Sequence, residues 1–261
     1  MLTALLYGLI ASSGFVVGTA IGLTTEPPRR VVAAIVAFGA GVLVSALAFD
    51  LMEEAFETGT AVWTIGGFML GAVIYVVIDM GLDRLAAESP KRTGRDPEDV
   101  VPGAERIPQS REQATVSGLA LLVGTVLDGI PENAAIGISL VAEDAGGLGL
   151  VLMGAVFMSN LPASITSAIG MRHEGRSRLF IISAWGTVAI ACTAAAVLGY
   201  VLLGGLAPNL IATMLALAAG GIIAMLADTM MPEAFEHGGP GVALATATGF
   251  SCAFLLSRYT G

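Results

Sequence analysis

Apolar residues in this chain fall in long blocks, separated by short polar connections. Each block runs roughly 20 residues or more, enough to cross about 30 Å of hydrocarbon at about 1.5 Å per helical residue. The blocks predict eight spans, at residues 2–23, 31–54, 61–83, 114–141, 147–171, 178–204, 208–234 and 240–258. Residues 84–113 form the only long polar stretch. Pro90, Pro97, Pro102 and Pro108 stand there among mixed charges, the composition of a poorly ordered loop. Residues 1–23 lack a basic start and a clear small-x-small cleavage site, so they read as the first span and not as a signal peptide. The expected fold class is an all-α membrane protein, with residues 1–261 forming a single transmembrane domain.

Composition agrees. Apolar residues make up 55% of the chain and charged residues 13%, with a mean hydropathy of +0.83. Soluble domains carry about 45–50% and about 25%. The net charge of −9 says little about basic partners, because much of it comes from acids within apolar blocks. Cys192 and Cys252 lie in apolar blocks and read as small buried hydrophobes.

The basic residues give the blocks a direction. Arg29 and Arg30 follow span one, and Arg84, Lys91, Arg92, Arg95, Arg106 and Arg111 follow span three. Arg172, Arg176 and Arg178 follow span five, so eleven of the twelve basic residues share one face. Arg258, at the far end, is the twelfth. The positive-inside rule makes the shared face cytoplasmic and puts both termini outside.

Two short matches suggest an internal repeat. Span two ends Glu53-Glu54-Ala55-Phe56-Glu57-Thr58-Gly59 and span seven ends Pro232-Glu233-Ala234-Phe235-Glu236-His237-Gly238. Span four carries Gly129-Ile130-Pro131-Glu132-Asn133, and span five carries Asn160-Leu161-Pro162-Ala163-Ser164. The members of each pair run in opposite directions. That is an inverted-repeat architecture, typical of secondary transporters with a midplane substrate site.

Acids within the spans are the candidate chemistry. A carboxylate at mid-membrane costs about 2.5–3.5 kcal/mol on insertion scales, and such groups mark ion routes. Asp128 and Glu132 are four apart in span four, so they share a helix face. Pro131 between them removes one backbone bond and frees a carbonyl about a turn earlier. Asn133 adds an oxygen nearby, and span five offers Ser159 and Asn160 at similar depth. These five residues form the expected metal site. Asp50 and Glu54 near the outer end of span two are the expected entrance. Asp228, Glu233 and His237 near the inner end of span seven are the expected exit. Each set has a plainer reading, as kinked packing helices, interhelical hydrogen bonds or interfacial acids facing water. There is no Walker-type loop, His-Glu-x-x-His pair, cysteine cluster or paired nucleophile and base, so an enzyme is not expected.

At these residues the chain resembles the ZIP family of zinc and iron transporters over nearly its whole length. Eight spans, outside termini and a long cytoplasmic loop after span three match that family's layout. Its span-four motif is of the His-Asn-x-Pro-Glu-Gly type. Here the segment is Asp128-Gly129-Ile130-Pro131-Glu132-Asn133, with Pro131 and Glu132 matching and Asp128 in place of His. In span five, Ser159-Asn160-Leu161-Pro162-Ala163 keeps Asn160 and Pro162. It puts Ser159 where the family has His and Ala163 where it has Glu. Asp228-Thr229-Met230-Met231-Pro232-Glu233-Ala234 resembles the span-seven ending. The resemblance implies a carrier for a divalent metal ion, zinc first, taken as transported substrate and not as a permanent cofactor. Spans four and five would move as part of a rigid unit. The surviving donors are all oxygens, which suit harder cations such as manganese, and they favour one metal over two. The expected partners are the metal ion and the lipid bilayer, with a homodimer as candidate assembly and no nucleic acid. The alternative is a transport-defective relative acting as a metal-sensing or structural membrane protein.

Overall fold

The computed structural model describes residues 1–88, 118–142, 148–203 and 206–260. Among these the regular structure is helical throughout. The helices are α1 (Leu2–Thr24), α2 (Arg29–Ala46), α3 (Met52–Thr58), α4 (Ala61–Glu88) and α5 (Gly118–Ala142). They continue with α6 (Leu148–His173), α7 (Arg178–Leu203), α8 (Pro208–Met225), α9 (Met231–Gly238) and α10 (Val242–Thr260). Six stretches of the described residues are long and apolar enough to cross a membrane. This is a multi-pass membrane protein. The last of the six, Pro208–Tyr259, is 52 residues long. Straight, it would reach about 78 Å, more than twice the hydrocarbon core. It breaks at the 3₁₀ turn Gly239–Gly241, where Gly239 has φ +67°, a backbone state that glycine adopts without a Cβ penalty.

Helix α4 runs to Glu88, past the residue-83 end that the apolar pattern predicts. Arg-Leu-Ala-Ala-Glu is a run of good helix formers, so the helix outlasts the hydrophobic stretch. Most of the expected 84–113 loop, with Lys91, Arg92, Arg95, Arg106 and Arg111, lies outside the described residues. Two features were not legible beforehand. Leu47–Leu51 and Leu226–Met230 are π-helical turns, one joining α2 to α3 and the other α8 to α9. Such one-turn bulges carry an extra residue and often sit at functional positions.

These breaks recur at a fixed interval. The helix, π turn and helix starting at 29, 47 and 52 are matched 179 residues later at 208, 226 and 231. Their packing partners correspond too. Helix α2 packs on α10 and α8 packs on α4, whereas α1 packs on α6 and α7 packs on α5. Backbones touch at matched glycines. A Cβ on Gly41 would collide with the Thr246 carbonyl, and one on Gly220 with the Phe68 carbonyl. Gly249 meets the Phe38 carbonyl as Gly71 meets that of Leu217. Without water to drive helices together, this close van der Waals contact between small residues is what holds membrane helices.

The same device seats α1. A Cβ on Gly14 would lie 2.6 Å from the Phe157 carbonyl oxygen of α6, and one on Gly22 would lie 2.7 Å from that of Ile165. The central apolar cluster, including Leu43, Leu51, Ile136, Leu152 and Ile222, joins α2, α5, α6 and α8. Val62, Val77, Leu244 and Ile190 face outward, as side chains do against lipid.

On one rim, Arg172 of α6 pairs with Glu26 and donates to the Leu23 carbonyl at 3.3 Å. His173 lies 3.1 Å from the same carboxylate. The hydrogen bond to His173, and then the Arg172 charge, hold the Glu26 carboxyl below its ordinary 4.5. A lowered carboxyl stabilises the fold above pH 4.5 and loses that effect as pH falls through the lowered value. The group is solvent-exposed, so the effect is small. Glu26→Gln is expected to lower the melting temperature slightly at pH 7, with the difference from wild type vanishing well below pH 4.5. Melting curves across pH check this.

Candidate functional site

Helix α5 runs unbroken through Pro131, and α6 through Pro162. Each proline therefore sits in the middle of a long helix, beside the polar residues of interest. Glu132 is 2% exposed, an expensive position for a carboxylate unless it is bonded. Ser159 Oγ of α6 donates to Glu132 Oε2 at 3.2 Å. The same hydroxyl lies 3.0 Å from the Val156 carbonyl, so its one proton is shared between the two. A hydrogen bond between buried side chains thus joins α5 to α6 at this point.

The two asparagines turn elsewhere. Asn133 accepts from Ser12 of α1 at 3.3 Å and donates to the Gly129 carbonyl at 2.8 Å. Asn160 donates to the Ala11 carbonyl of α1 at 3.2 Å. Both amides tie α5 and α6 to α1 and so brace the pair from behind. The backbone of Asp128 is part of α5, but its side chain lies outside the described residues. Among the described residues, no three His, Cys, Asp or Glu side chains gather closely enough to hold a metal ion. The described donors of the expected site are therefore Glu132 and the oxygens around it.

Ser159→Ala removes one donor from a buried carboxylate. Lost hydrogen bonds to charged groups cost about 1.5–3 kcal/mol. The variant is expected to lower unfolding stability by about that much, read from denaturation in detergent against wild type.

The expected entrance and exit groups differ in setting. Asp50 lies within the first π turn, is 2% exposed, and accepts from Ser257 of α10 at 3.0 Å. Glu54, in α3, is partly buried and accepts from Thr58 at 3.0 Å. Asp228 sits exposed in the second π turn. Glu233 and His237 are partly buried in α9, with His237 Nδ1 3.0 Å from the Glu233 carbonyl. Thr229, next to Asp228, pairs with Tyr75 of α4 at 2.9 Å. Spacing along one chain cannot reveal Tyr75, because its partner comes from another helix.

Cys192 is a second residue that the sequence reading set aside. It is fully buried in α7, and a Cβ on Gly129 of α5 would lie 3.1 Å from its sulfur. The thiol therefore flanks α5 one turn from Asn133. Phe15 and Trp185 stack beside it, centroids 5.3 Å apart.

With the geometry in place, likeness to known proteins adds to it. The chain is 28% identical over 241 residues to a zinc transporter ZupT of Salmonella arizonae, spanning 90% of this chain and 88% of that protein. It is 27% identical over 241 residues, with the same coverage of both chains, to the ZupT proteins of Salmonella heidelberg and Salmonella newport. Each of these relatives is named a zinc transporter. No family model matches the chain. The relatives span almost the full chain.

Proposed function

We propose that the chain is a secondary transporter resembling the ZIP family. It moves a divalent transition metal, zinc first, across the cytoplasmic membrane and inward. The observation that carries this reading is Glu132, a carboxylate buried in the middle of one long apolar helix and bonded to Ser159 of the next. A group so costly to bury is kept for an ion. Similarity to ZupT proteins over 90% of the chain supports zinc as the cargo. The oxygen donors leave manganese and iron as further cargoes.

In this reading the chain crosses the membrane eight times, with α2 and α3 counted together and α8 and α9 counted together. The halves α1–α4 and α7–α10 form an inverted repeat. Support comes from the 179-residue recurrence and from the contacts. Gly67 meets Thr213 and Gly71 meets Leu217, so α4 and α8 run parallel. Helix α4 reverses from α2 after the turn at Gly59 and Thr60, so α8 opposes α2. Both termini lie outside, as the basic residues direct.

The site is Asp128, Glu132 and Ser159, with Asn133 and Asn160 bracing it. Asp50 and Glu54 receive the ion, and Asp228, Glu233 and His237 release it. Helices α1, α5, α6 and α7 move as one body against α2, α4, α8 and α10. The tightest backbone contacts, such as Gly41 on Thr246, Gly220 on Phe68 and Gly137 on Ala196, lie within each group, whereas Gly39 meets Met158 across them more loosely, which supports that division.

Ser159 and Ala163 stand where the ZIP motif has metal ligands, and they favour a second reading as a metal sensor that does not transport. Zn²⁺ flux into proteoliposomes, measured beside a Zn²⁺-dependent thermal shift in detergent, separates the two. The transporter gives both a shift and a flux. A shift without flux favours the sensor, and neither signal removes both readings.

A further inference from the structure

A groove of about 500 Å³ opens between α2, α6 and α10. Arg30, Val31, Ala34 and Phe38 line its α2 wall, Met158 stands on α6 and Thr248 on α10. Apart from Arg30 and Thr248 these side chains are apolar.

The groove is closed at one end. Near Phe38 a Cβ on Gly39 would lie 3.3 Å from the Met158 carbonyl oxygen, and Gly249 presses on the Phe38 carbonyl. Arg30 lines the other end. From Phe38 to Arg30 the slot runs about 12 Å along the helix axis.

Charge marks the end at Arg30. Arg29 and Arg30 begin α2, and no acid stands in its first turn. The nearby Glu26 is taken by Arg172 and His173. Among the described residues neither Arg29 nor Arg30 forms an ion pair. Both are exposed at the end of an apolar slot, where two guanidiniums attract the phosphate of an anionic headgroup.

We propose that this groove binds one acyl chain of an anionic phospholipid, with Arg30 and Arg29 holding its headgroup. A zwitterionic lipid satisfies the slot but leaves the positive charge uncompensated. A second copy of the chain would have to bring an acid to the rim as well as an apolar ridge. The bound chain would reach Met158, next to Ser159. Its effect on transport rests on the reading above, but its binding does not.

Native mass spectrometry of the full chain in detergent tests this with phosphatidylglycerol and phosphatidylcholine of identical acyl chains. One retained phosphatidylglycerol is expected per chain, preferred over phosphatidylcholine. Arg30→Gln should reduce that preference about fivefold while an unselective adduct persists. Ala34→Phe and Thr248→Phe fill the slot from opposite walls at exposed positions, and each should remove the retained lipid. Unchanged melting in lipid-free detergent shows that these variants fold. If one variant fails to fold, the other decides. Equal retention of both lipids by wild type, or retention undiminished in the filled variants, overturns the proposal. So does a dimer that Ala34→Phe dissociates, because a second copy would then occupy the groove.

Discussion

Glu132→Gln is expected to reduce Zn²⁺ uptake into proteoliposomes at least tenfold and leave the protein folded. The substitution keeps the volume and one oxygen to accept from Ser159. It removes the negative charge, which is what a divalent cation requires of a site that is 2% exposed. A tenfold loss corresponds to about 1.4 kcal/mol, a modest demand on a charge in a low-dielectric interior. Melting should hold or rise, because a neutral amide is cheaper to bury than a carboxylate. Adding Asp128→Asn should abolish uptake. Uptake equal to wild type in the double variant would place the ion path elsewhere.

The second large effect is structural. Gly220→Val is expected to prevent accumulation of folded protein. A Cβ at 220 would collide with the Phe68 carbonyl of α4, and backbone cannot swing aside as a side chain does. Overpacking a core costs about 1–3 kcal/mol even when side chains can adjust. Here α4 and α8 must separate along a whole seam. Gly71→Val, which meets the Leu217 carbonyl from the other side of that seam, should behave alike. Gly66→Ala has nothing within 4 Å of the added carbon and should be tolerated, with a small gain in helix propensity. Monodisperse yield in detergent for the three variants is the measurement. Normal yield of Gly220→Val would mean that the seam is looser than the fold requires.

Much of this fold could be read from hydropathy, because bilayer thickness dictates how long an apolar run must be. The ends were less legible. Arg84 to Glu88 read as loop by polarity, yet they continue α4 because their helix propensity is high. The π turns left no mark in the apolar pattern, since one extra backbone residue in a helical turn does not change which residues are apolar. The short match between the Glu53–Gly59 and Pro232–Gly238 segments was visible, and it proved to lie just past both π turns. Within the candidate site, the chemistry was easier to read than the partners. A carboxylate in an apolar run is conspicuous, so Glu132 stood out. That Asn133 and Asn160 both reach toward α1 depends on helix rotation about the axis and, for Asn160, on the close approach of α1 to α6 that Gly14, Gly18 and Gly22 allow. Cys192 is the small buried residue that its apolar block suggests, packed against Gly129, whereas Cys252, read the same way, is exposed.

The central claim is that a divalent cation sits at Glu132 between α5 and α6. Crystals soaked in Zn²⁺ and measured at the zinc absorption edge test it most directly. The proposal expects an anomalous peak about 2.0–2.2 Å from a Glu132 carboxylate oxygen, the usual zinc–oxygen distance. That peak should vanish in Glu132→Gln crystals soaked alike. Zinc peaks confined to surface residues such as His173 and Glu26, with none between α5 and α6, would contradict it.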